Sequence, residues 1–158
     1  MYVIRIITIT LLAAVAAVAA PQAVDPGTIK DKVIIAVGQE STIEFQRMGD
    51  RLSKPTKAKQ ADASSSMVRI KLDLTSSSPF PPPREGAMRP FLHVENGFEK
   101  TLHYRALARL KGSKEFFEIT EGLEPIAAGK SSNKCWDFDS QIEEVVLYQF
   151  ALSNDQVD

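Results

Sequence analysis

Cysteine occurs once in the 158 residues, at Cys135, so no disulfide can close within the chain. Small exported domains of eukaryotes usually lean on several such bridges, and the sequence also has no N-x-S/T glycosylation signal. Basic excess is missing as well. Nineteen Lys and Arg stand against 20 Asp and Glu, a net charge of −1, far from the strongly positive balance of a nucleic-acid binder. Two histidines, His93 and His103, are too few for a zinc site of the usual kind. There is no Gly-rich phosphate loop and no G-x-S-x-G nucleophile elbow, and no convincing amphipathic helix.

What is present begins with "MYVIRIITITLLAAVAAVAAPQA". A short n-region with one cation, Arg5, leads into an apolar run from Ile6 to Ala16 and then into small residues, the order of a secretory signal peptide. Ala17-Val18-Ala19 meets the A-x-A rule, which makes residues 1–19 the leader and Ala20 the first mature residue. A cut after Ala20 would set Pro21 behind the scissile bond, and a cut after Ala23 is the alternative. The apolar run is shorter than the roughly 20 residues that span a bilayer, so no transmembrane anchor is expected after processing. With no disulfide pair and no sequon, the expected destination is a bacterial periplasm.

Past the leader, "DPGTIKDKVIIAVGQ" opens with turn residues and enters a strand from Val33 to Val37, five apolar residues that suit burial on both faces. In "STIEFQRM" Ile43 and Phe45 alternate with Glu44 and Gln46. Residues 53–66, "SKPTKAKQADASSS", contain no aromatic or branched aliphatic side chain and read as a flexible solvated loop. "MVRIKLDL" returns to strict alternation, with Val68, Ile70, Leu72 and Leu74 on one side and Arg69, Lys71 and Asp73 on the other. Five prolines between Pro79 and Pro90 make residues 76–90 a Pro-rich crossover. Its P-x-x-P-x-R pattern matches SH3 ligands, but export removes it from cytosolic partners.

"FLHVENGFEKTLHYRALARLKG", residues 91–112, gives two further strands. Leu92 and Val94 form one apolar row; Leu102, Tyr104, Ala106, Ala108 and Leu110 form another. A two-residue Asn96-Gly97 turn would leave these rows on opposite faces. A five-residue loop, Asn96 to Lys100, pairs Val94 with Leu102 and Leu92 with Tyr104 and puts both rows on one side; that hairpin is the expected register. It also makes His93 and His103 neighbours. "EFFEIT" follows, with Phe117 and Ile119 sharing a face, then a Pro-marked edge segment and "CWDF". "IEEVVLYQFAL" closes the domain as an interior strand, its β-branched and aromatic content favouring a strand over the alternative, a helix across residues 140 to 152. Its alternation places Val146, Tyr148, Phe150 and Leu152 on one face and Val145, Leu147 and Ala151 on the other.

Seven or eight short strands separated by turns predict an all-β fold: one antiparallel β-sandwich with immunoglobulin-like connections over residues 28–153, behind a cleavable signal peptide. "HVENGFEKTLHYRALARLKG", "CWDF" and the hydrophobic last strand together resemble small exported bacterial immunoglobulin-like β-sandwich proteins of uncharacterised function. The resemblance covers residues 90 to 152 and is architectural. It implies no catalytic motif and no cofactor.

Several residues carry chemistry that the strand pattern alone does not explain. Cys135 with either histidine is a conceivable thiolate–imidazole pair, against which Cys135 beside Trp136 reads as a small apolar residue. Asp137, Asp139, Glu143 and Glu144 are acidic but lack the spacing and glycine of a calcium loop. Trp136 is the one aromatic left open for stacking on a sugar. The row His103, Arg105, Leu107, Arg109 and Lys111 places side chains about 7 Å apart on one strand face. Such a cationic stripe with an apolar centre is suited to an acidic envelope protein or an anionic surface. The plain alternative is a solvated face paired with acids such as Glu118 on the next strand. The expected function is therefore a non-catalytic binding or accessory module, with a periplasmic hydrolase or a carbohydrate-binding module as alternatives.

Overall fold

The computed structural model describes residues 23–58, 66–75, 88–120, 122–136 and 142–155. Among them are ten strands and no α-helix: β1 Ala23–Val24, β2 Val33–Ala36, β3 Gln39–Met48, β4 Arg51–Lys57, β5 Met67–Thr75, β6 Arg89–Asn96, β7 Thr101–Leu110, β8 Phe116–Glu118, β9 Ser131–Cys135 and β10 Ile142–Ser153. A single 3-10 turn, Pro26–Thr28, follows β1. All the strands join one antiparallel sheet in the order β1-β8-β7-β10-β4-β3-β5-β6-β9, with β2 also beside β10. The described fold thus reaches back to Ala23, ahead of the boundary at residue 28 read from the sequence. The expected leader 1–19, the Pro-rich run 76–87, the centre of the polar stretch at 59–65, and Asp137 and Asp139 lie outside the described residues.

The strict alternation of β5 does what its pattern demands. Val68, Ile70 and Leu72 are fully buried, and β5 is flanked by β3 and β6, with Ile43 opposite Val68, Leu92 opposite Leu72 and Val94 opposite Ile70. From the other half of the sheet, Leu102, Tyr104, Ala106 and Ala108 of β7 and Val145, Leu147, Phe150 and Leu152 of β10 join the same apolar cluster. Both halves therefore feed one core. The chain passes between them at Val37-Gly38: β2 pairs with β10, Gly38 turns at φ +81, and its N–H donates to the Leu72 carbonyl of β5 at 2.8 Å.

Two expectations about pairing do not survive. β6 and β7 are not a hairpin: β6 lies between β5 and β9, and β7 between β8 and β10. Their apolar rows do face a common core, but from different halves of the sheet, so His93 and His103 are not neighbours. Residues 97–100 form a corner instead of a hairpin loop, and the Asn96 side chain holds it. Its Nδ2 donates to the carbonyls of Lys100, Ile126 and Ala127 at 2.8, 2.9 and 3.1 Å, and its Oδ1 accepts from Phe98 N–H at 3.0 Å. Asn96 is wholly buried, so these bonds replace the water that its amide and the corner backbone would otherwise need.

The second correction concerns β10. Pairing with β7 skips a step between Tyr148 and Ala151, where Gln149 takes φ +53. This bulge reverses the alternation. Val146 and Tyr148 end on one face, while Phe150 and Leu152 join Val145 and Leu147 in the main core. The strand is interior as expected, with β7 on one side and β2 and β4 on the other. A smaller difference lies in the polar stretch, whose first residues, 53–57, belong to β4. They are mostly exposed and pair with β3 through the backbone, a contact that requires no apolar side chain and so leaves no pattern. In β2, Ile34 stays half exposed, so that strand buries one face only.

Candidate functional site: the outer face of β7

His103, Arg105, Leu107 and Arg109 stand together on the outer face of β7, as the two-residue period requires. Lys111 lies past the strand's end, exposed in the turn before Gly112. Leu107 is not the wet centre of a stripe. It is fully buried and forms a second apolar cluster with Phe116 of β8 and Val146 and Tyr148 of β10; Val24 and Ile29 from the N-terminal segment pack against it. Register explains the grouping, since Leu107 sits opposite Val146 on one side and Glu118 on the other.

The two arginines rim this cluster. The Arg105 guanidinium lies 5.8 Å from the centre of the Tyr148 ring, and that of Arg109 lies 5.7 Å from the centre of Phe116. Each also meets carboxylates. Arg105 Nη2 is 3.3 Å from Glu118 Oε2, the acid the sequence offered as a neighbour of this face on the next strand. Arg109 donates from Nη2 and Nε to Glu144 Oε2 at 2.6 and 3.1 Å, and from Nη1 to Glu143 Oε2 at 2.9 Å. The bond to Glu144 is the main reason the Arg109 guanidinium is held above its ordinary pKa. Glu118 further accepts from Tyr148 OH at 2.6 Å and from the Thr120 hydroxyl. Burial first, and then this bond to Glu118, push the Tyr148 phenol up to about 12. The charges of Arg105 and Arg109 are thus met by Glu118, Glu143 and Glu144.

At the other end of the row, His103 Nε2 and Ser153 Oγ are 2.8 Å apart. The sequence pattern did not single out Ser153, because nothing near it marks a nucleophile. A serine–imidazole pair needs a group to orient the ring and donors for an oxyanion. Among the described residues no carboxylate bonds to His103. Across the molecule, His93 Nδ1 is 2.6 Å from Asn133 Oδ1. With His93 opposite Asn133 and Phe91 opposite Cys135, Cys135 shares that outer face with His93, whereas His103 belongs to the other half of the sheet. No group of three His, Cys, Asp or Glu suited to a metal ion occurs among the described residues.

Trp136 is only 6% exposed and packs in the main core, so it offers no ring face to a sugar. A shallow cleft of about 190 Å³ is lined by Arg47, Ser66, Phe98, Glu99, Lys100 and Leu152. Lys100 Nζ is 2.7 Å from Asp50 Oδ1 there, and that bond is the first cause holding the Asp50 carboxyl below its usual range. Arg47, Lys100 and Glu99 are the charged residues of its lining. The sheet order ends at β9, which lies against β6 on one side and adjoins no other described strand.

Comparison with family models, with curated proteins and with solved structures finds no match.

Proposed function

We propose that the chain is an exported, non-catalytic binding or accessory module of the bacterial cell envelope, its one sheet folded as a sandwich of immunoglobulin-like form. The supporting observation is how its polar groups are used. The arginines of the β7 row are engaged with Glu118, Glu143 and Glu144, and Asn96 with the backbone of its own corner, while backbone at the β9 end of the sheet adjoins no described strand on its outer side. A terminal strand of this kind takes up an extended partner segment through main-chain hydrogen bonds. Lys134 and the strand's five-residue length limit indiscriminate pairing there.

The test is photocrosslinking in cells, with the probe placed in turn at Ser131, Asn133, His103 and Arg105. A discrete adduct from either β9 position supports strand addition, and mass spectrometry identifies the partner. Adducts from His103 or Arg105 alone would move the contact to the β7 face. Silence at all four positions, with export verified, would overturn the module reading.

The competing reading is a periplasmic hydrolase, favoured by one observation, the 2.8 Å approach of His103 to Ser153. Turnover of peptidoglycan that disappears in Ser153→Ala would establish it in place of the module.

A further inference from the structure

The second apolar cluster depends on a very short piece of chain. β1 has two residues, with Ala23 opposite Phe117 and Val24 opposite Phe116 on the edge of β8. Val24 and Ile29 are the apolar side chains this segment lays on Leu107, Phe116, Val146 and Tyr148. Between them the chain forms a self-contained unit. Asp25 Oδ1 accepts from Gly27 N–H at 2.8 Å, and the Asp25 carbonyl accepts from the Thr28 hydroxyl at 2.9 Å. Only residues 30–32 connect this unit to β2. Within them Asp31 has φ +52, a left-handed conformation that Asp tolerates better than most residues but that still costs more than an extended one. Its Oδ1 accepts from the N–H of Lys54, itself at φ +47.

A short segment with few attachments, terminal once the expected leader is removed, a short hinge in a left-handed conformation, and an apolar site that must be covered: this combination invites exchange between copies. We infer that residues 23–29 form an exchangeable strand, and that the β8 edge with the cluster around Leu107 and Val146 is a docking surface for the same segment of a second copy of this chain. Every contact that residues 23–29 make with the rest of one chain re-forms between two, including the bond from Lys32 Nζ to the Pro26 carbonyl, 2.5 Å within one copy. The difference between the two states then rests on the hinge. Straightening it at Asp31 releases backbone strain in the exchanged form, so high concentration and an extended residue 31 both favour the dimer. The inference rests on removal of the leader, which it shares with the exported reading above, and otherwise concerns only how this segment seats itself.

The experiment uses the full chain carrying Ala23→Cys and Phe117→Cys in a Cys135→Ser background. Unlabelled and 15N-labelled preparations are mixed reduced at high concentration and then oxidised. The expected result is a dimer-sized fraction in which disulfide-linked peptides from positions 23 and 117 join unlike labels in statistical proportion. Links confined to like labels, or no link at all between those two positions, overturn the inference. A second measurement avoids the added cysteines. Asp31→Val and Asp31→Gly both lose the carboxylate bonded to Lys54, but valine cannot hold φ +52 and glycine holds it freely. Sedimentation velocity should show a several-fold larger dimer fraction for Asp31→Val. If both variants stay monomeric at the highest soluble concentration, the exchange is overturned just as firmly.

Discussion

Asn96 Nδ2 lies 2.9 Å from the carbonyl of Ile126, thirty residues further along the chain, in a fully buried hydrogen bond. That one contact ties the corner between β6 and β7 to the segment that precedes β9. Three acceptors share the two amide protons of Asn96, and its oxygen holds the Phe98 N–H. Asn96→Ala should cost about 2 kcal/mol or more, since it strands buried backbone groups instead of merely deleting a bond. Urea unfolding measures it; a loss below about 0.5 kcal/mol would mean that the corner is held by something else.

Asn96→Asp sharpens the same point. The shape is unchanged, but a carboxylate would replace the donor facing three carbonyl oxygens. Folding should therefore raise the new carboxyl's pKa and favour its neutral form. That stability is present below the unfolded value, near 4, and fades as pH rises through the folded value. The gap between Asn96→Asp and the parent should widen from about pH 4 to about pH 7. A gap that is flat across this range would contradict the buried donor role.

How much of this was legible in the sequence depends on whether a feature lives in a side-chain period or in a partner choice. The alternation of β5 is written in Val68, Ile70 and Leu72, and all three are buried as written. The pairing of β6 is not. Leu92 and Val94 satisfy a core row equally well against β7 or against β5, and only the order of strands across the whole sheet decides. Asn96 was visible as a turn signal, yet its role as a buried bracket depends on carbonyls some thirty residues away. Glu118 was visible as a cross-strand acid. The second core was hidden for a different reason: its cover, Val24 and Ile29, lies in a stretch whose turn residues mask the isolated apolar ones.

Gln149 shows most directly why β10 misled. A Gly there would have announced the bulge; Gln at φ +53 does not. Gln149→Gly should relieve that strain and stabilise the fold by about 0.5–1 kcal/mol. Gln149→Val should destabilise it, because a β-branched residue tolerates the left-handed region poorly. Paired urea titrations decide. If both substitutions shift the midpoint in the same direction and by similar amounts, the reversal of faces between Tyr148 and Phe150 has another cause.

The β7 row separates into unequal members by the same means. Leu107→Ala removes a fully buried side chain and should cost about 2–5 kcal/mol. Arg109→Ala gives up its bonds to Glu143 and Glu144 at a site still partly open to solvent, so about 1 kcal/mol is expected. Lys111→Ala, in an exposed turn, should stay within about 0.5 kcal/mol. Equal effects along the row would restore the picture of a uniform solvated stripe.

The phenol of Tyr148 offers a pH test of the same cluster from its other side. Its folded pKa is raised to about 12 from the ordinary value of 10.0, by burial and by the bond to Glu118. A raised pKa means that the folded state keeps the proton after the unfolded state has released it. The contribution is therefore whole below pH 10 and is lost as pH climbs towards 12. In that window stability falls as pH rises. Tyr104, also raised by burial, contributes in the same direction, so the informative comparison is with Tyr148→Phe. That variant gives up the hydroxyl bond at neutral pH but should lose stability less steeply between about pH 10 and about pH 11.5. Parallel slopes in the two proteins would place the alkaline sensitivity elsewhere and remove Tyr148 from the buried face that Leu107 and Val146 define.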